Sequence, residues 1–328
     1  MARYRLAVRG GSKVRIRMRN TITVMNAKGG VGKSTLVLAL AETLATYHHK
    51  TVLVVDADAQ ASVSHMLMRR PQLEAAQSEG RTVVDYLIAA VLKESAASWR
   101  DYVTGDVSDV DDARSIALMP SDTQLTLFER DVSKGDHEAR LRRTVGALLS
   151  EAGQAYDIVL IDSAPGLSVL TECFLREAEF YLSPTKPDFI STRGLKFLSE
   201  FRQRDPQMGF AENLGVVINM KDLHRAQDEH FDRGVREDSN HRCFQRSIPL
   251  LTPLQATGFV SPQPRSYWAK YPGETGGYLR QLTQELLDRL AIARDDVAES
   301  AAPAEGKKRA MWTSWKERKT AQEAPKRL

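Results

Sequence analysis

Residues 28–35 read Lys-Gly-Gly-Val-Gly-Lys-Ser-Thr, and this stretch decides the fold. Ordinary phosphate loops follow G-x-x-x-x-G-K-[ST]. Gly32, Lys33 and Ser34 fill the last three places, but Ala27 stands where the first glycine is expected. The glycines have moved inward and a second lysine, Lys28, has been added. An apolar run at 21–25 precedes the loop, and a strongly apolar helical stretch at 36–44 follows it. Strand, loop and helix in that order form the context in which a phosphate-loop match carries weight. A glycine-rich turn that binds nothing would not need all of these features together.

The chemistry follows from the residue types. Glycines at 29, 30 and 32 let several backbone N–H groups converge on one point. A helix beginning near Lys33 adds the positive end of its dipole. Lys33 supplies a charge for the outer phosphates of a nucleotide, the Ser34 hydroxyl is placed to ligate Mg²⁺, and Thr35 can reach an inner phosphate. The expected nucleotide contacts are therefore Lys28, Gly29, Gly30, Val31, Gly32, Lys33, Ser34 and Thr35.

Phosphoryl transfer needs a held metal, a positioned water and neutralised charge rather than covalent help. Asp162 follows the apolar run 158–161 and should emerge at a strand's C-terminal edge, where open α/β sheets bind ligands. There it would hold Mg²⁺ through a water. Asp56 and Asp58 end another apolar run and lie two apart, so in extended backbone they point the same way. A solvated loop aspartate is the competing reading for each. Apolar runs alternate with amphipathic segments along residues 21–295. That pattern predicts one α/β domain, a doubly wound, mostly parallel sheet flanked by helices.

Lys28 carries a resemblance to a known family. A lysine at this place marks the deviant Walker A motif of the ParA/MinD ATPases, and other family marks recur in order. Residues 52–60 (Val-Leu-Val-Val-Asp-Ala-Asp-Ala-Gln) resemble the first switch, and 117–125 (Ala-Leu-Met-Pro-Ser-Asp-Thr-Gln-Leu) the strand and P-S turn that follow it. Residues 156–166 resemble the Walker B strand and second switch, 184–198 the P-x-x-P stretch with its helix, and 271–290 the closing helix. The resemblance implies an ATP-dependent homodimer in which Lys28 reaches the partner's nucleotide. It also implies that Asp58 orients the attacking water, that Asp56 supports the metal shell and that Asn219 reads the adenine edge. A strand-ending turn is the alternative role for Asn219. Two departures stand out. Ala59 replaces the usual proline of the first switch, and 247–255 (Ser-Ile-Pro-Leu-Leu-Thr-Pro-Leu-Gln) lacks the arginine of the family's I-P-R-N segment.

Charge is unevenly spread over the 328 residues. Residues 1–20 hold seven Lys/Arg and no acid, and residues 301–328 hold eight Lys/Arg against three Glu. The chain's formal +4 therefore leaves −8 for residues 21–300. Tyr4, Leu6 and Val8, then Val14, Ile16 and Met18, alternate with basic residues across Gly10-Gly11. This predicts a basic hairpin with one apolar face. A disordered arm, a misassigned start at Met18 and an organelle transit peptide are the competing readings of this 1–20 extension. Residues 296–328 read as a basic, flexible tail in which Trp312 and Trp315 would share a helix face.

No apolar run is long enough to span a membrane, and no signal-peptide core opens the chain. Cys173 and Cys243 match no ligand spacing, which argues against iron–sulfur relatives and for reduced thiols in an intracellular protein. His224, His230 and His241 read as solvated loop residues.

The leading expectation is a partition-type ATPase requiring ATP and Mg²⁺, cytoplasmic and associated with the nucleoid. It would dimerise on ATP, bind DNA without reading sequence and release it on hydrolysis, with an adaptor protein stimulating turnover. Arg193, Lys196, Arg225, Arg233, Arg242 and Arg246 are the candidate DNA contacts in the body. The alternatives are a MinD-type membrane-positioning ATPase anchored by the tryptophan-containing tail, and a small-molecule synthase on the same nucleotide-binding fold.

Overall fold

The computed structural model describes residues 4–9, 12–17, 20–204 and 209–300. In chain order the first half comprises β1 (Tyr4–Arg9), β2 (Ser12–Arg17), β3 (Thr21–Val24), α1 (Lys33–His48), β4 (Val52–Ala57), α2 (Ser62–Leu67), α3 (Arg70–Ser78), α4 (Val83–Leu87), β5 (Thr104–Gly105) and β6 (Ile116–Met119). There follow α5 (Leu125–Lys134), α6 (Glu138–Ala155), β7 (Ile158–Ser163), α7 (Val169–Glu177), β8 (Phe180–Thr185) and α8 (Phe189–Arg204). The chain closes with β9 (Glu212–Ile218), α9 (Ala226–Glu237), α10 (Thr252–Gln255), α11 (Tyr267–Lys270) and α12 (Glu274–Ser300).

Seven strands form one sheet in the order β5-β6-β4-β7-β3-β8-β9. Every pairing in it is parallel except the short β5–β6 edge. The expected doubly wound α/β architecture is thus observed. Ile158 to Ile161 of β7 and Val52 to Val55 of β4 are fully buried, as strands covered by helices on both faces must be. Helix α1 is buried almost all round through Leu36, Val37, Leu38, Leu40 and Leu44, so it shows no polar face over this stretch.

A buried ionic cluster ties α1 to distant parts of this unit. Glu42 on α1 accepts hydrogen bonds from Lys270 Nζ at 2.7 Å, Tyr271 Oη at 2.6 Å and Ser108 Oγ at 2.7 Å. Lys270 also reaches Asp109 at 2.7 Å, and Arg265 pairs with the other Asp109 oxygen at 2.8 Å. Lys270 is 3% exposed, and two carboxylates face its ammonium group.

Residues Arg19–Arg289 form one unit, and Met1–Met18 with Leu290–Leu328 are grouped as another. In the second, β1 and β2 pair antiparallel as the alternation predicts, but the register differs. Leu6 pairs with Arg15 and Val8 with Lys13, so apolar positions of one strand stand opposite basic positions of the other. Arg9 faces Ser12, and a two-residue connection fixes that offset. The single apolar row expected from the sequence is therefore not formed. Helix α12 runs to Ser300, past residue 295 where the domain was expected to end. No Gly or Pro interrupts 278–302, and Pro303 is the first breaker. Trp312, Trp315 and the basic tail lie outside the described residues.

Candidate functional site

The phosphate loop spans the end of β3 and the start of α1, at the C-terminal edge of the parallel sheet. Buried Asn26 pins its entry: Nδ2 donates to the Pro184 carbonyl of β8 at 2.8 Å, and Oδ1 accepts from the Lys28 N–H at 2.9 Å. Gly30 and Gly32 adopt left-handed backbone, with φ of 74° and 85°. At Gly32 a Cβ would also come within 2.5 Å of Asn219 Nδ2, so only glycine fits. Gly32 is the N-cap of α1 and offers no side-chain acceptor. The first-turn N–H groups of α1 are thus left for an anion.

Lys33 is 7% exposed, which is unusual for lysine. Burial lowers its pKa, while the charges of Asp162 and Asp58 pull the other way. Asp162 on β7 is fully buried and lies in register between Val24 of β3 and Asp56 of β4. Burial pushes its carboxyl well above the usual range, and the neighbouring Asp56 adds to the rise. Ser34 and Lys33 oppose it. The Ser34 hydroxyl is close enough to matter, yet neither Asp162 oxygen makes a hydrogen bond of normal geometry. A buried carboxylate left without partners beside a serine hydroxyl and a lysine fits a cation or a cation-bound water. Among the described residues no group of three His, Cys, Asp or Glu forms a metal site by itself. A Mg²⁺ ion here would draw on Ser34, Asp162 and phosphate oxygens, as Mg²⁺ commonly does.

Asp56 and Asp58 sit in different local settings, and the charge of Asp58 acts on Lys33, Asp56 and Asp162. Asp58 lies just beyond β4, and its Oδ1 accepts from the Gln60 N–H at 2.9 Å, closing a tight turn. Asp56 is fully buried, and burial raises its pKa to about 7 against the pull of its hydrogen bonds. Its Oδ2 accepts from Ser64 Oγ at 2.6 Å and the Ser64 N–H at 3.0 Å, and its Oδ1 from the Asp58 N–H at 3.2 Å. Both oxygens accept hydrogen bonds from the segment between β4 and the first turn of α2. Ser64 Oγ in turn accepts from the Ser121 N–H of the P-S turn at 3.1 Å. Asp56 thus anchors the segment that leads from β4 into α2.

Asn219 directly follows β9, beside the phosphate loop. Its Nδ2 donates to the Val31 carbonyl at 2.9 Å and its Oδ1 accepts from the Met220 N–H at 3.0 Å. These bonds hold the loop against the end of β9 and leave the amide one N–H and one oxygen lone pair. Lys28, by contrast, is exposed. It borders an open groove formed with Phe189, Ile190, Arg193 and Phe197 of α8.

The basic residues of the second half are unequal. Arg242 pairs with Glu212 at 3.1 Å, Arg225 with Asp228 at 3.7 Å and Lys196 with Glu200 at 3.7 Å. The Arg193 guanidinium lies 5.8 Å from the Phe189 ring. Arg233 and Arg246 are exposed, form no ion pair among the described residues and line one groove. Asn26 and Ser64 are functional positions the motif reading missed. Asn26 directly precedes the loop, which is a signal; Ser64 offers none without the fold.

A phosphate loop at a β–α junction, with two buried carboxylates on adjacent parallel strands, defines a P-loop nucleoside triphosphatase. A family model described as "AAA domain" (AAA_31) matches residues 19–208. A ParA family protein of Chlamydia muridarum is 33% identical over 203 residues, covering 61% of this chain and 71% of the relative. Among solved structures, an ATP complex of McdA from Cyanothece superposes with a TM-score of 0.63 at 18% identity, covering 83% of this chain and 97% of that one. The pNOB8 ParA bound to nonspecific DNA gives 0.61 at 18%, covering 83% and 99%. The chain belongs to the ParA-type P-loop ATPases.

Proposed function

We propose that this chain is an Mg²⁺-dependent ATPase that dimerises on ATP, binds DNA without sequence preference and lets go on hydrolysis. The observation that carries the reading is the buried Lys33 between Asp58 and Asp162, with Lys28 exposed beside it. One lysine serves the chain's own nucleotide, and the other is free to serve a twin's.

In this reading Lys33 and the first-turn N–H groups of α1 neutralise the outer phosphates, and Thr35 meets an inner one. Ser34 and Asp162 hold Mg²⁺, which when bound neutralises charge on the phosphate oxygens. Asp58 orients the attacking water. Asp56, through Ser64, keeps Asp58 and α2 in register with the site. Lys28 of each protomer approaches the partner's triphosphate, so closure of the dimer completes the site.

DNA contact would come from exposed cations acting on phosphates, which is insensitive to sequence and weakens with salt. Arg233 and Arg246 are the best placed in the body because both are exposed and form no ion pair among the described residues, with Glu229, Asp232 and Glu237 in the same groove. The DNA-bound pNOB8 ParA supports this reading at the level of fold. Transport or positioning of a plasmid, chromosome or protein cargo would follow from cycling, with an adaptor protein accelerating hydrolysis. No helix among the described residues is long and apolar enough to cross a membrane.

A mobility-shift titration against random-sequence duplex tests the proposal. With a non-hydrolysable ATP analogue the protein should shift DNA, with a steep loss between low and physiological salt; with ADP it should not. Equal binding in both nucleotide states would remove the switch.

A further inference from the structure

We propose that Ser64 is a positioning residue for hydrolysis: its hydroxyl ties the P-S turn at Ser121 to the Asp56 carboxylate and so fixes Asp58 beside the nucleotide. This deepens the ATPase reading above and rests on it.

The segment between β4 and α2 is held against its own backbone preference. Ala61 is the N-cap of α2 and adopts left-handed backbone, with φ of 50°. A left-handed alanine is costly because its Cβ crowds the following carbonyl, and it persists only where the surroundings impose it. Ala59, two positions earlier, leaves φ free where a proline would fix it. The order of this segment therefore has to come from hydrogen bonds.

Those bonds converge on Ser64. Ser64, Asp56 and Ser121 are all fully buried. Ser64 Oγ donates to Asp56 Oδ2 at 2.6 Å and accepts from the Ser121 N–H at 3.1 Å. A serine hydroxyl has one proton to give, so this pair of bonds fixes its orientation. Asp56 Oδ1 accepts from the Asp58 N–H at 3.2 Å, and the Asp58 carbonyl accepts from the Ala61 N–H at 2.9 Å. An unbroken chain thus runs from Ser121, 57 residues from Ser64 in sequence, through Ser64 and Asp56 to Asp58. Its far end is firm. The Pro120 carbonyl accepts from the Val83 N–H at 2.7 Å and the Ser121 carbonyl from Gln77 Nε2 at 3.1 Å.

The near end reaches the chemistry, because the charge of Asp58 acts on Lys33. Ser64 itself makes no hydrogen bond to the phosphate loop among the described residues. Loss of its hydroxyl should therefore slow hydrolysis and spare ATP binding.

The test is single-turnover phosphate release together with ATP affinity by calorimetry, on wild type, Ser64→Ala, Asp58→Ala, the double variant and Gln77→Leu. Ser64→Ala should bind ATP within about twofold of wild type and release phosphate roughly tenfold more slowly, the scale of loss when a reacting group is misplaced by less than an ångström. In the Asp58→Ala background the same substitution should slow release by less than about twofold, because its effect runs through Asp58. Gln77→Leu loosens the same turn without touching Asp56. It should lower the melting temperature and leave release within about twofold of wild type. Release by Ser64→Ala at the wild-type rate overturns the positioning role. So does an equal loss in both backgrounds, or a loss as large in Gln77→Leu, since either would make the effect a general loosening. Release by Asp58→Ala at the wild-type rate overturns instead the reading of Asp58 beneath this inference. Failure of wild type to bind ATP overturns the nucleotide-binding reading as a whole.

Discussion

Asp56 and Asp162 stand opposite each other on adjacent parallel strands, β4 and β7, and both are fully buried. Two carboxyl groups so placed resist ionising together. Burial alone lifts each, and the charge of Asp56 lifts Asp162 further. For Asp56 the folded-state pKa is about 7 against an ordinary 3.8. The folded state therefore holds its proton more tightly than the unfolded chain does. Its contribution to stability is full below about pH 4 and is lost as pH rises to about 7, with a slope of at most about 1.4 kcal/mol per pH unit for one proton. Urea unfolding of the nucleotide-free protein between pH 4.5 and 7.5 should show this loss, and Asp56→Asn should flatten the slope. A variant with the wild-type profile would show that another group titrates.

Lys33→Ala should cost at least tenfold in ATP affinity, on the order of 1.5–3 kcal/mol for one lost charge-assisted hydrogen bond. Isothermal titration calorimetry measures it directly. Far-UV circular dichroism should be unchanged, because the backbone of α1 does not depend on this side chain. ATP affinity equal to wild type would mean that Lys33 faces no phosphate.

The phosphate loop and the strand and helix that flank it were legible because their pattern is local. What the sequence hid depends on partners far along the chain. Asn26 meets Pro184 across 158 residues, Ser64 meets Ser121 across 57, and Lys270 meets Glu42 across 228. Asn219 was expected to read a base because the family resemblance implies it. Its bond to the Val31 carbonyl, across 188 residues, is visible only in the fold. The hairpin was readable as two alternating strands, but its register depends on the length of the connection rather than on the alternation.

Lys28→Ala should leave ATP binding by the single chain within about twofold of wild type. The loop is held by the Lys28 backbone N–H to Asn26, which alanine keeps. What alanine lacks is the exposed ammonium group. Light scattering with a non-hydrolysable ATP analogue should show dimers for wild type and monomers for the variant. Dimers of equal stability in both would remove Lys28 from the interface.

Asp58→Ala should slow hydrolysis by roughly 100-fold, within the range for loss of a positioned acid or base. The ATP-bound form should then persist, and DNA retained with ATP should approach that seen with the non-hydrolysable analogue. The turn loses its bond to the Gln60 N–H, so a modest fall in melting temperature is also expected. Steady-state phosphate release and DNA retention are the two readouts. Turnover at the wild-type rate would show that some other group positions the water.

Lys270→Met separates stability from function. The substitution leaves Glu42 and Asp109 buried without their shared cation, although Tyr271, Ser108 and Arg265 remain in place. Removing one partner of such a cluster costs roughly 3–5 kcal/mol. For a chain of this size that is about 10 °C in melting temperature. Glu42 lies nine positions along α1 from Lys33, about 13 Å at the helical rise, so ATP affinity should change by less than about threefold. Adding Glu42→Gln should recover part of the loss, because the amide keeps a hydrogen-bonding group while removing one stranded charge. A double variant as unstable as the sum of the two single variants would show that the cluster is not coupled through charge. A large loss of ATP affinity in Lys270→Met would mean instead that the cluster also sets the position of α1 beneath the phosphate loop.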